Sequence, residues 1–203
     1  MRHLIILSYI ILLTASPLFA AQNTQSDNLT INEKLGIFLF EQLAKAQTRQ
    51  AGREAEAEIW HYWFNQAPSK EIKTDLEYGR KRREAYDYVA AEISFDKVVA
   101  AAPNFAEGYN QRAFVRFLRE NFSGALQDLE KALELEPRHF GAMSGMFHVL
   151  RLMNRNKVAF KILQNAVKIH PWIKERGALP GHMQPPRPKP PKLQKSNKDI
   201  QKL

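Results

Sequence analysis

Ser94 and Lys97 stand at the S-x-x-K spacing in which a lysine helps to activate a serine for acyl transfer. The K-T-G element that completes such a site is missing, and Ser94 falls beside Phe95 inside an apolar helical pattern. Ser144 lies between Gly141 and Gly145 in the order G-x-x-S-G, which is not the G-x-S-x-G turn that exposes a nucleophile. The histidines His61, His139, His148 and His170 form no i, i+4 pair and join no carboxylate at ligand spacing, so neither a metal site nor a cofactor is expected. No glycine-rich loop is present to cradle phosphate. Arg80, Lys81, Arg82 and Arg83 have no nucleic-acid module around them and read as a solvated helix face, so nucleic acid is not an expected partner. A non-catalytic chain is the expectation.

The elements that would position any site begin after an unusual start. Arg2 and His3 precede an apolar run from Leu4 to Leu13, followed by Pro17, Ala20 and Ala21, the order of a secretory signal over residues 1–20. The run is well short of the roughly 20 apolar residues that span a bilayer, so no transmembrane span is expected in the mature chain. Export to the periplasm or the exterior follows as an expectation. Cysteine is absent, which excludes disulfides and thiolate metal sites; an exported fold must then be held by packing alone. Residues 21–30 are small and polar and read as a flexible lead. Of 203 residues 44% are hydrophobic and 25% charged, enough for one globular core. The net charge of +9 is concentrated at the far end, where Trp172 onward carries eight basic residues against two acidic ones.

Three prolines, Pro103, Pro137 and Pro171, recur every 34 residues, and each follows an apolar helical pattern. With them recur small residues: Gly79 and Ala91 in the first period, Ala113, Ala125 and Ala132 in the second, Ala159 and Ala166 in the third. On these positions the sequence resembles the tetratricopeptide repeat family, in exported bacterial envelope form, with units at 72–105, 106–139 and 140–173. The stretch from Ala125 to Pro137 lies nearest the family pattern, whereas the third unit carries Phe147 where a small residue is usual. The resemblance implies an all-α, right-handed solenoid of three helix pairs. Upstream, residues 31–69 hold two further helical patterns that read as a degenerate pair capping the stack, with Trp60 and Trp63 in its core.

In this family the first helix of each unit lines a concave surface that takes peptides or partner helices. The resemblance places Lys73, Arg80 and Arg83 there from the first unit, Asn110, Gln111, Phe114 and Phe117 from the second, and Ser144, His148 and Arg151 from the third. Amides would pair with peptide backbone, aromatics would anchor apolar side chains and arginines would suit an acidic ligand. The lysine and asparagine set by which chaperone-docking members hold a carboxylate is absent, its positions being Leu76, Arg80, Gln111, Gly141 and Gly145. A protein or peptide ligand in the groove is the leading expectation. The alternative is attachment of the proline-rich basic tail, residues 174–203, to an anionic membrane or envelope polymer; this tail reads as disordered. The apolar second helix of the third unit is expected to be covered by Trp172 and Ile173 folding back, or by a partner.

Overall fold

A computed structural model describes residues 29–188; the expected signal segment, most of the lead and residues 189–203 lie outside the described residues. Among the described residues eight α-helices follow one another: α1 (Ile31–Lys45), α2 (Arg49–Phe64), α3 (Lys70–Glu84), α4 (Tyr88–Ala101), α5 (Ala106–Leu118), α6 (Phe122–Leu135), α7 (Phe140–Leu152) and α8 (Asn156–Ile169). Two 3-10 turns, Lys174–Ala178 and Gly181–Met183, follow them, and no strand occurs among the described residues. A short N-terminal unit ends at Leu35, where Thr30 and Glu33 bond reciprocally as a capping box at the start of α1. The main unit runs from Gly36 onward.

The 34-residue period fixes both ends of every helix pair. Helices α4, α6 and α8 stop two residues before Pro103, Pro137 and Pro171, whose rings cannot continue the ladder. Between the two helices of each pair the chain turns through a residue in left-handed conformation: Tyr86, Glu120 and Asn154, also 34 apart. There the N–H groups of Asp87, Asn121 and Arg155 reach back to the carbonyls of Arg82, Arg116 and Leu150, which closes the first helix in the Schellman manner. Asp87 and Asn121 then cap the second helix with their side chains.

Close approach within the pairs comes from the small residues. Ala91, Ala113, Ala125, Ala132, Ala159 and Ala166 are wholly buried, and a methyl group on Gly79 would stand 2.6 Å from a Phe95 ring carbon. Phe147, which stands where a small residue is usual, is itself buried and packs against Phe160, and α7 forms at the same length as α5. Ion pairs tie the first two units together through Asp128 of the second: Arg112 grips it with two bonds of 2.7 and 2.9 Å and reaches Asp96 of the first at 2.8 Å, and Arg116 bridges Asp128 and Glu92.

Two hydrophobic clusters divide the core. One belongs to the first unit, around Leu76, Phe95 and Val98. The larger joins Leu43, Ile59 and Trp63 of α1 and α2 to the second and third units. The N-terminal pair therefore caps the core in a way the sequence did not foresee, because its indoles fit beside Phe140 instead of against the first unit's outer face. That outer face keeps Tyr78, Val89 and Ile93 exposed. A second correction concerns the tail, expected to be disordered from residue 174. Ile173, Glu175, Arg176 and Leu179 are buried, and Gln164 of α8 donates to the Met183 carbonyl, so the segment covers part of α8 as the expected folding back requires. Trp172 goes elsewhere, to α2.

Two substitutions test this packing. Gly79→Ala is expected to lose about 1–3 kcal/mol, because the Phe95 ring it would strike has no room to retreat. Glu120→Gly is expected to gain about 0.5–1 kcal/mol, since relief of the left-handed strain exceeds the entropy glycine adds to the unfolded chain. Urea midpoints of the two variants check both signs.

Candidate functional site

The first helices of the three units, α3, α5 and α7, form one wall of a cleft of about 1170 Å³, and α2 with residues 171–177 forms the other. Helix α2 is laid along this rim through a series of contacts. Arg80 of α3 stacks on Phe64, 4.6 Å from the ring centre. Trp63 lies flat on His139 with centroids 3.9 Å apart, and Trp60 covers Gly141, whose missing side chain leaves room for the indole. Glu56 accepts from His170 at 3.2 Å. At the far end Trp172 sits over Gly52 and donates from Nε1 to the Ala46 carbonyl at 2.7 Å. One four-turn helix thus spans from the first unit to the residues after the third.

Nine of the ten groove residues expected from the sequence line this cleft: Lys73, Arg80, Arg83, Asn110, Gln111, Phe114, Phe117, Ser144 and His148. Arg151 does not. Its guanidinium lies near the rings of Phe147 and Phe160, drawn to an aromatic pair outside the cleft. The amides of Asn110 and Gln111 are also not free for a peptide backbone, because both donate to the buried carboxylate of Glu107. Glu107 in turn accepts from His139 Nε2 at 2.9 Å, while the Ala142 N–H donates to His139 Nδ1. Through Nδ1 His139 caps α7. Arg83 donates to the Gln111 side-chain oxygen and lies over Phe114, the most exposed aromatic of the wall at 47%.

The electrostatics of the cleft are one-sided. Its lining holds eight lysines and arginines against three glutamates, and two of the three are occupied by histidines, Glu56 by His170 and Glu175 by His148. The hydrogen bond from His170 holds the Glu56 carboxyl below its ordinary pKa. Burial pulls Glu175 upward, but His148 and Ser144 outweigh it and leave its pKa lowered. Burial and the adjoining charge of Arg80 push Arg83 down, and burial with Arg187 does the same to Arg176.

The other side chains singled out in the sequence lie away from this chemistry. Ser94 is buried and its hydroxyl donates to the Asp75 carbonyl at 2.8 Å, while Lys97 faces solvent. No group of three or more metal-ligating side chains occurs among the described residues. Sequence reasoning missed Glu56, Glu107 and Trp172, and it placed Trp60 wholly in the core although the ring lines the cleft. The buried Glu107 had a signal: a charged residue on the apolar side of a helix normally has a partner.

The helix pairs, their period and the concave wall define a tetratricopeptide-repeat solenoid. Relatives carry the same description: a TPR repeat-containing protein of Rhizobium etli is 31% identical over 133 residues, covering 66% of this chain and 65% of that protein. A tetratricopeptide repeat protein 36 homolog of Nematostella vectensis is 40% identical over 75 residues, 36% of this chain and 41% of its own length. The chain thus spans less than two thirds of these curated relatives. Among solved structures, the first TPR of Spaghetti (RPAP3) bound to an HSP90 peptide matches with a TM-score of 0.52 at 21% identity, over 53% of this chain and 85% of that one. No family model matches the chain. The relatives' names and this shared fold support the tetratricopeptide repeat family.

The clasp of α2 on the end of the array carries a pH dependence. A carboxyl whose pKa is lowered by folding stabilises the fold above the ordinary carboxylate range and loses that contribution as pH falls from there through its lowered value. Glu56→Gln is expected to cost about 1–2 kcal/mol at pH 7 and progressively less as pH falls below about 4, read from urea midpoints across that range.

Proposed function

We propose that this protein is a non-catalytic scaffold that holds a segment of another protein in the cleft between its concave wall and α2. The observation that carries the reading is the cleft itself. Its volume of about 1170 Å³ is above the usual small-molecule range of about 300–1,000 Å³, and its lining mixes aromatic anchors with cations. The solved neighbour with the same fold holds a peptide, which supports the class of ligand without naming it. Phe114 and Phe117 would seat apolar side chains, and Lys73, Arg80 and Arg83 would meet polar or charged ones.

The setting we propose is outside the cytoplasm. Support comes from the order of basic, apolar and small residues over positions 1–21. No helix among the described residues is long and apolar enough to cross a membrane. Tethering through residues 174–203 draws less support, because one of that tail's cations, Arg176, is buried in the fold and a second, Arg187, lies over Trp172 at the cleft.

A photoreactive side chain at Phe114 is expected to crosslink a bound partner, and one at Leu152, exposed but outside the cleft, is expected not to. Crosslinks from position 152 alone would move the binding surface out of the groove.

A further inference from the structure

The arginines of this protein fall into two populations. Outside the cleft, five of the seven among the described residues (Arg82, Arg112, Arg116, Arg119 and Arg138) form ion pairs with carboxylates. Inside it are six, and only Arg80 has a carboxylate within 4 Å, Glu84 at 3.8 Å. The fold thus pairs most of its outer arginines with carboxylates, whereas five of the six in the cleft have none within 4 Å.

Three of the cleft arginines are also oriented. Arg80 lies over Phe64, Arg83 over Phe114 and Arg187 over Trp172, with 4.6, 4.8 and 5.3 Å from guanidinium carbon to ring centre. Stacking occupies the faces of a guanidinium and leaves its in-plane N–H edge, the edge that matches a carboxylate with two parallel bonds. The rings come from three elements, α2, α5 and the residue after Pro171, so these guanidiniums are distributed along the cleft and not gathered at one end; Arg83 gives one N–H to Gln111 and keeps the others.

From this we infer that the cleft takes an extended acidic peptide segment, recognised by aspartate and glutamate side chains along its length and not by a chain terminus. The inference rests on the groove reading proposed above and narrows it. Charge excludes the protein's own tail, which is basic like the cleft. A terminal carboxylate has a poor grip, because of the five clamp positions that the family resemblance implies Leu76, Gly141 and Gly145 carry no donor side chain, Gln111 is engaged with Glu107 and Arg83, and Trp60 covers Gly141. The exposed half of Phe114 beside Arg83 adds an apolar seat next to a cation, which favours alternating acidic and apolar side chains over a uniform polyanion.

The test uses the full mature chain and three probes: an eight-residue peptide alternating glutamate and leucine with its C-terminus amidated, the same peptide with glutamine for glutamate, and an oligothymidylate. Binding is read from the fluorescence of Trp60 and Trp172, which line the cleft. The glutamate peptide is expected to bind at least about tenfold tighter than its glutamine counterpart and to weaken with salt. Arg80→Met with Arg83→Met should remove that advantage, while Arg155→Met, exposed and outside the cleft, should keep it. Equal binding of the two peptides, lost in Phe114→Ala, would overturn the acidic preference and leave the groove reading standing. Binding of neither peptide, or binding indifferent to Phe114→Ala, would overturn both. Tighter binding of the oligothymidylate than of the glutamate peptide would replace the peptide as ligand. Circular dichroism of each variant separates lost binding from lost folding.

Discussion

The flat contact between Trp63 and His139 is the hinge of this structure, because it joins the N-terminal helix pair to the repeats through groups that are all buried. A stacked pair of rings at 3.9 Å contributes about 0.5–1.5 kcal/mol beyond the area it removes from water. Its larger effect is geometric. His139 is held by Glu107 on one nitrogen and by the Ala142 N–H on the other, so the surface on which Trp63 lies cannot rotate. The Glu107 carboxylate also collects the amides of Asn110 and Gln111, and Gln111 steadies Arg83 at the cleft wall. A buried carboxylate is costly without partners, and here every partner is a group that positions either α2 or the wall opposite.

From that hinge α2 reaches both ends of the repeat array. An array of helix pairs touching only their neighbours flexes along its length. A strut held through its Phe64 by Arg80 at one end, and through Glu56 and Gly52 by His170 and Trp172 at the other, ties down that freedom, and a groove open on one side becomes a cleft with two walls. Preorganisation of this kind lowers the ordering cost of binding. It also explains why the arginines need aromatic supports: in a cleft too poor in carboxylates to neutralise them, ring faces are the contacts that fix their direction without cancelling their charge.

The repeats were legible in the sequence because their physics is local. Proline every 34 residues, alanine at the helix crossings and aspartate or asparagine at the turns each act within a few residues, and α3 to α8 follow from them. Most of the concave wall came with the repeats, since register alone puts Phe114 and Arg83 on it. What could not be read is what depends on long-range fit. The partners Trp63 and His139, Glu56 and His170, and Trp172 and Ala46 are separated by 76 to 126 residues, and neither spacing nor periodicity links them. Arg151 departed from the wall for a related reason, because an aromatic pair on another helix competes for it. The tail misled through its proline content: Ile173 and Leu179 are two apolar residues in a polar stretch, and they suffice to seat it on the core.

The bracing role of α2 is most directly measured by a crosslink, which the absence of cysteine makes clean. In a chain carrying Gly52→Cys and Trp172→Cys, mild oxidation is expected to give an intramolecular disulfide in nearly all molecules, because the two positions are in side-chain contact. A product that stays reduced, or that links only between separate chains, would mean that α2 does not reach past the third repeat, and the two-walled cleft would be lost with it.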